Sequence, residues 1–305
     1  MLECGFPFPI ISRTAPTPHA HAMPSSQNPS QEPPRIPAAL VHYIARGLIE
    51  RSVSIKILPT LIREISPEPL PPEAFVSEGL NAPLSQWQLN SRNEAPSLLS
   101  HLKSRLKKTL NVGQQVHPIT WAQLTSNEPH QPVAQLVFAP LAFEASADVL
   151  NDFECFPKWF ADDGVLLFAT LAAGGLPELV NAQPEWLDLL THWPNIMDAG
   201  ARLQALRFGL PVLDVESVPL AYVDCATMWH DINALLPPLQ TMDAHARDTW
   251  REKLQQLFDQ GLRELSVQVL YGQVWQVRAP KQLSDTHTVS LESLTSQLEQ
   301  RRTYK

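Results

Sequence analysis

Side chains that could do metal or nucleophilic chemistry are few in this sequence and widely spaced. The three cysteines, Cys4, Cys155 and Cys225, are an odd number and match the spacing of no metal motif. His19 and His21 form a pair, but no further ligand lies near them in the sequence. No Ser-His-Asp or paired-carboxylate constellation stands out. The sequence therefore predicts neither a metal site nor a disulfide framework.

A basic segment is the clearest local charge feature. Residues 101–108, HLKSRLKK, include Lys103, Arg105, Lys107 and Lys108. The segment could dock an acidic partner, or it could be the solvated face of a helix. The whole chain carries a formal net charge of -8. That charge argues against a sequence-independent nucleic-acid binder, because such a protein needs a basic face.

Composition divides the 305-residue chain into one domain and two flanking segments. Residues 1–37 are rich in proline, serine and glutamine and predict a disordered tail, and 281–305 predict a polar C-terminal helix or tail. Between them, 38–280 predict one α/β domain, since 44% hydrophobic residues supply a sizeable core. No apolar run has the length of a membrane helix, so we expect a cytoplasmic protein.

The first half of the domain predicts mainly helices. Apolar residues recur at helical spacing from 37 to 63, and a second helical stretch is expected through Ile57, Leu61 and Ile62. A strand is expected near 86–90, and a helix from 96 to 110.

The second half carries the stronger strand signals. The run AQLVFAPLAF (134–143) predicts a strand buried on both faces, and 165–170 predict another. A helix between them should end before the turn Asp162-Asp163-Gly164. Strand, helix and strand in this order predict a parallel βαβ unit.

Two alternating segments near the end predict how the sheet closes. A helix over 198–208 should end at Gly209, and 211–222 and 265–277 then alternate apolar and polar residues. An antiparallel pair at the sheet edge explains this alternation. The expected fold is a Rossmann-like, doubly wound α/β sheet, mostly parallel with an antiparallel final strand.

This order of elements resembles the class I S-adenosylmethionine-dependent methyltransferases. The segment GVLLFATLAAGGLPEL (164–179) resembles the strand-and-loop signature of the malonyl-acyl-carrier-protein O-methyltransferases of biotin synthesis. That family's later helix, glycine turn and strands are similar to NIMDAGARLQALRFGLPVLDVESVPLAYVD (195–224) and LYGQVW (270–275). Upstream, QLVFAPLAF resembles its fourth strand. The resemblance covers 134–277.

The resemblance implies S-adenosylmethionine as cofactor. The family holds it with an acid and a glycine-rich loop after the first strand, in a D-x-G-x-G-x-G pattern, since glycine lets the backbone approach the ligand. This chain contains no G-x-G. The loop is expected at FVSEGLNAP (75–83). Candidates for cofactor contact are Glu78, Gly79, Asn90, Ala139 and Pro140.

The resemblance also implies an acceptor site at the ends of the later strands. Its candidate residues are Phe143, Leu171, Gly174 and Gly175. For Phe143 and for Trp121 the alternative is ordinary core packing. The alternative for the glycine pair is a simple turn.

Methyl transfer to a carboxylate needs no catalytic base, because the acceptor is already ionised and positioning supplies the rate. The resemblance implies carboxyl O-methylation of malonyl-acyl carrier protein, with the basic segment as the docking surface for the carrier. A second hypothesis is a catalytically inactive protein that keeps the fold as a binding or regulatory partner. A third is another reaction, since a related mitochondrial complex I assembly factor of this fold is associated with hydroxylation.

Overall fold

A computed structural model describes residues 11–13, 35–89, 116–126, 133–146, 148–190 and 193–276. Their centre is a single eight-stranded sheet. Its strands are β1 (Ile11–Arg13), β2 (Ile62–Ser66), β3 (Leu84–Leu89), β4 (Val116–Ile119), β5 (Ala134–Pro140), β6 (Phe160–Leu171), β7 (Gly209–Tyr222) and β8 (Glu264–Trp275).

The strands lie in the order β1-β7-β8-β6-β5-β2-β3-β4. Strands β2 to β6 pair in parallel. The final strand, β8, runs antiparallel to β6 on one side and to β7 on the other. The fold class predicted from the sequence is confirmed: the sheet is mostly parallel and its final strand is antiparallel.

Helices cover both faces of the sheet, as the two-sided burial of β5 requires. Leu136 and Phe138 of β5 point into one hydrophobic cluster, and Val137 and Ala139 point into the other. The first cluster packs against α1 (Ala38–Ser52), α2 (Glu73–Ser77), α5 (Pro177–Ala182), α7 (Cys225–Leu235), α8 (Pro237–Thr241) and α9 (Ala244–Asp259). The second packs against α3 (Trp121–Leu124), α4 (Val149–Asp152) and α6 (Ile196–Ala205). Three 3₁₀ helices complete the layers, at Ala142–Ala145, Phe153–Lys158 and Pro184–Leu189.

One element predicted from the sequence is wrong. The expected second helical stretch, through Ile57, Leu61 and Ile62, is instead the approach to β2, which lies between β3 and β5 near the middle of the sheet. Every residue of β2 is buried, including Arg63 and Glu64. Two charged residues in a five-residue strand conceal the apolar pattern by which a buried strand is recognised.

Two predicted turns differ from the structure. β6 already begins at Phe160, so Asp162-Asp163-Gly164 is a bulge within the strand and not a turn before it, and Asp163 has φ 64°. At the end of α6, the left-handed residue is Arg207 (φ 62°), whereas Gly209, two residues later, begins β7.

Several predictions fall on other parts of the chain. The basic segment 101–108, the helix expected over 96–110 and the C-terminal segment 281–305 lie outside the described residues. Within the N-terminal segment expected to be disordered, Ile11–Arg13 form β1 and pair with β7. Among the helices that the structure describes, none is both long enough and apolar enough to cross a bilayer.

Gly272 is required where β8 meets β6. It lies opposite Phe168, and a Cβ atom at this position would come within 2.2 Å of the Phe168 ring. We therefore expect Gly272→Ala to lower stability by about 1–3 kcal/mol, as overpacking does. Gly200→Ala is the matched control, because its Cβ would meet only Leu213, at an ordinary 3.5 Å, in the middle of α6. Thermal unfolding should show a lower Tm for the first variant and an equal or higher Tm for the second. Equal effects would contradict the packing argument.

Candidate functional site at the carboxyl edge of the sheet

Open α/β sheets bind ligands beyond the carboxyl ends of their parallel strands. Here a cavity of about 640 Å³ lies at that edge, between the loops that follow β5 and β6. Asp148 and Val149 line it from the first loop, and Ala173, Gly174 and Gly175 from the second. Its position makes it the candidate ligand site of the chain.

The glycine pair shapes this cavity for two different reasons. Gly174 has φ +87°, a backbone conformation that side-chain-bearing residues rarely adopt. Gly175 gives room to Trp193, because a Cβ atom at position 175 would lie 2.6 Å from the indole ring. Trp193 is 4% exposed and forms part of the cavity wall. Both glycines therefore line the cavity, and both also have a structural role in the turn. Their contact with an acceptor stays a prediction.

The polar side chains of the cavity come mainly from helix N-termini. Asp148 caps α4 by accepting the N–H of Asn151 at 3.0 Å. Asn195 caps α6 by accepting the N–H of Asp198 at 2.8 Å, and its amide donates to the Asp198 carboxylate at 2.6 Å. Asn181 adds a further amide from α5.

The lining is negatively charged. Asp148 and Asp198 are its charged residues, and no lysine or arginine is among the described residues that line it. The first turn of α6 is the compensating feature, since the N-terminal end of a helix carries partial positive charge, although the N–H of Asp198 is already used by the Asn195 cap.

Strained backbone lies close to this edge. Leu141 follows β5 with φ 50°, and Leu176 precedes α5 with φ 52°. Both side chains are buried, and their N–H groups bond to Ala169 and Ser266 of neighbouring strands at 2.9 and 2.7 Å. A left-handed leucine costs about 1–2 kcal/mol, so the surrounding packing must fix both corners.

The other predicted acceptor residues do not line the cavity. Phe143 is fully buried, with its ring stacked on Trp159 at 5.6 Å and edge-on to Trp121 at 5.9 Å. Leu171 is fully buried in the cluster on the opposite face of the sheet. For Phe143 and Trp121 these contacts are those of core packing, the alternative interpretation of the sequence.

The cofactor candidates are dispersed. Ala139 and Pro140 end β5 and are buried. Glu78 and Gly79 are exposed between α2 and β3, on the segment that leads to the amino end of β3. Asn90 lies outside the described residues. Their contact with a cofactor stays a prediction.

The loop that follows the first strand of the domain is 67–72, not 75–83 as expected. β2 ends at Ser66, and the chain continues as PEPLPP before α2 begins at Glu73. If the D-x-G-x-G-x-G pattern is placed on the observed strand, Glu64 takes the acid position and Ser66, Glu68 and Leu70 take the three glycine positions.

Glu64 is the centre of a buried hydrogen-bond network that sequence reasoning missed. Its carboxylate accepts the N–H of Leu70 at 3.0 Å and the side-chain amide of Gln86 at 2.6 Å. The same Gln86 amide also donates to the carbonyl of Leu70 at 2.6 Å. Burial raises the pKa of Glu64 to about 7, although these hydrogen bonds act in the opposite direction.

The neighbouring Arg63 points to the other face. Its guanidinium lies 3.9 Å above the centre of the Trp87 ring, and it donates to the carbonyl of Trp159 at 3.4 Å. Burial lowers the pKa of Arg63 to about 10. Alternating side chains of β2 therefore send two buried charged groups into opposite layers of the domain.

Strand topology agrees with the resemblance. A mostly parallel, doubly wound sheet with an antiparallel final strand is the arrangement that the resemblance to class I methyltransferases implied. The chain has this Rossmann-like fold.

Comparison with known proteins finds sequence similarity to a methyltransferase over part of the chain. The chain is similar to malonyl-[acyl-carrier protein] O-methyltransferase 1 of Coxiella burnetii, with 26% identity over 145 residues. That match covers 45% of this chain and 51% of the relative, so the chain spans about half the length of the curated relative that it matches. No family model matches.

Solved structures of similar shape have low identity. They include the YcgJ protein of Bacillus subtilis (TM-score 0.46, 11% identity, 78% of this chain and 100% of that one). A putative methyltransferase from Bacillus halodurans has a TM-score of 0.45 and 9% identity, over 76% of this chain and 99% of its own. The plantazolicin methyltransferase BpumL, in complex with a triazolic desmethylPZN analogue and SAH, has a TM-score of 0.43 and 12% identity, over 79% of this chain and 86% of its own.

The raised pKa of Glu64 predicts a pH-dependent stability. The folded protein disfavours the ionised carboxylate. The contribution of Glu64 to the free energy of unfolding is therefore fully present below the ordinary pKa of 4.5 and is lost as the pH rises through about 7. The wild type should lose at most about 3 kcal/mol of its free energy of unfolding between pH 5 and pH 8 through this group. Glu64→Gln stays neutral, so the variant should not show this loss. Denaturant unfolding at both pH values measures the difference, with Glu252→Gln on the exposed face of α9 as control. An unchanged slope in the Glu64 variant would show that its carboxyl is not the titrating group.

Proposed function

We propose that this chain is a methyltransferase-like protein that recognises malonyl-acyl carrier protein, with the acceptor bound in the carboxyl-edge cavity. Carboxyl O-methylation of that acceptor, with S-adenosylmethionine as donor, is the reaction of the proposal. The observation that carries it is a cavity bounded by the segment 164–179, which resembles the signature of that enzyme family. The curated relative bears the same activity in its name.

Positioning is the task that this cavity can perform. Its walls combine apolar residues such as Leu187 and Leu190 with the amides of Asn181 and Asn195. The amides can hold a neutral acyl-thioester arm by hydrogen bonds, and the first-turn N–H groups of α6 can face an acceptor carboxylate. A carboxylate is ionised at neutral pH, so orientation in the cavity can supply the rate without a side-chain base.

The described residues do not fit S-adenosylmethionine in the family's usual manner. Three side chains, Ser66, Glu68 and Leu70, stand where the pattern has glycines, and the acid at its start is already bonded to Leu70 and Gln86. We therefore derive no transfer step through the donor. This loop favours a second candidate function, a protein that binds the acceptor without methylating it.

The basic segment completes the proposal. Lys103, Arg105, Lys107 and Lys108 would attract the acidic carrier protein. The segment lies outside the described residues, and its charge is what supports this docking role.

Two measurements on one preparation test the proposed function. Malonyl-acyl carrier protein should bind more tightly than acetyl-acyl carrier protein, which lacks the free carboxylate. Label from methyl-labelled S-adenosylmethionine at millimolar concentration should then appear as base-labile methyl ester on the malonyl group. Binding without transfer would support the second candidate. Equal binding of the two carriers, or none, would overturn acceptor recognition.

The charges of the cavity provide a finer test of the acceptor. Asp148→Asn and Asp198→Asn each remove one negative charge, and asparagine keeps the cap of α4 at position 148 because it is as good an N-cap as aspartate. If the ligand carries a carboxylate, each variant should bind malonyl-acyl carrier protein about three- to tenfold more tightly. Affinity for acetyl-acyl carrier protein should not change. Titration calorimetry measures both, and unchanged or weaker malonyl binding in both variants would contradict a carboxylate bound beside these two residues.

A further inference from the structure

The loop from Ser66 to Pro72, here called the β2 loop, occupies the position of the family's glycine cradle. We infer that the β2 loop is closed against the methyl donor, so that S-adenosylmethionine and its demethylated product bind far more weakly than a glycine cradle allows. The inference rests on the proposed function and deepens it. Binding of the donor, and not binding of the acceptor in the cavity, is what limits methyl transfer.

The backbone N–H groups of the β2 loop are the first ground. Positions 67, 69, 71 and 72 are prolines and have no N–H to offer. The N–H of Glu68 bonds to the Ser66 hydroxyl at 3.1 Å, and the N–H of Leu70 bonds to the Glu64 carboxylate at 3.0 Å. Every N–H group between 67 and 72 is thus absent or already bonded. A cradle binds the anionic end of a ligand through free N–H groups, and this loop has none to spare.

Four carbonyl groups of the loop are also bonded internally. Pro67 accepts from the Gln88 side chain at 3.2 Å, and Leu70 accepts from Gln86 at 2.6 Å. The carbonyls of Pro71 and Pro72 accept the first N–H bonds of α2, at 3.0 Å. A ligand hydroxyl that approached one of these four carbonyls would compete with an internal bond, and a buried group that loses its partner is costly.

Charge and volume also oppose the donor. Glu68 is half-buried on the β2 loop and would face the carboxylate of the donor's methionine part with a like charge. Leu70 is fully buried and packs in the same cluster as Phe75. The side chain at the third glycine position is therefore anchored in the core, and four prolines restrict any movement of the loop away from it.

The test reopens the β2 loop without touching its core anchor. The variant S66G/P67A/E68G/P69A restores two N–H groups and two glycines and leaves Leu70 in place. The matched control, P71A/P72A, removes the same number of prolines at the start of α2. In titration calorimetry, wild type and control should give no heat with S-adenosylmethionine or its demethylated product below about 1 mM, whereas the reopened variant should bind at least about tenfold more tightly.

Two results would overturn the inference: micromolar binding of either ligand by the wild type, or a folded reopened variant with no gain in affinity. Should that variant fail to fold, Glu68→Gly alone and amide hydrogen exchange replace it. At millimolar demethylated product, exchange at Glu68 and Leu70 in the wild type should stay unchanged, and new protection there would contradict a closed loop. Binding of malonyl-acyl carrier protein, measured without donor, tests the acceptor proposal separately, so either idea can fail alone.

Discussion

The placement of β8 between β6 and β7 is the constraint on which the rest of the domain depends. It joins β7 to a sheet that would otherwise end at β6, and it works only because Gly272 leaves room for the Phe168 ring. With β8 in place, β6 is buried on both sides, and its carboxyl end becomes a fixed corner. Ala172 and Leu176, in the loop after β6, bond to the backbone of β8 at 2.8 and 2.7 Å. The cavity wall is therefore held by the last strand of the chain.

Apolar periodicity was enough to predict the elements whose burial it directly records. The strand from 134, the alternating pair that became β7 and β8, and the helix carrying Leu40, Ile44 and Leu48 are all present. β2 could not be predicted in this way, because its charged residues are buried by partners that lie outside the strand. Gln86 and Leu70 satisfy Glu64, and Trp87 covers Arg63.

The candidate site was predictable only in part, for the same reason. Gly174 and Gly175 were identified because they follow a strand that its apolar run predicts, at the edge where open α/β sheets bind ligands. Asp148 and Asn195 are recognisable in a sequence only as helix caps, and it is the packing of α4 beside α6 that brings them to one cavity. The misplaced cofactor loop follows directly from the missed strand, since a loop after a strand cannot be located before the strand itself.

The two ends of the carboxyl edge differ in how their polar groups are satisfied. Around the cavity, side-chain amides and helix caps line open space, and the caps Asp148 and Asn195 also bond to their own helices. Around the β2 loop, polar groups face one another, and prolines replace the donors that would otherwise need a partner. One part of the edge is thus built to take up a ligand, and the other to be complete without one.

Because the β2 loop is hydrogen-bonded internally, its folding does not depend on binding of a metabolite. A protein that binds a ligand only in its folded state gains stability by mass action, and its abundance can then follow the ligand's concentration. The β2 loop receives its hydrogen bonds from Ser66, Glu64 and Gln86, all within the chain. Its folded population should therefore stay constant whether the cell is rich or poor in methyl donor. Under the proposed function, such a chain would respond to the acceptor without also acting as a sensor of methylation capacity.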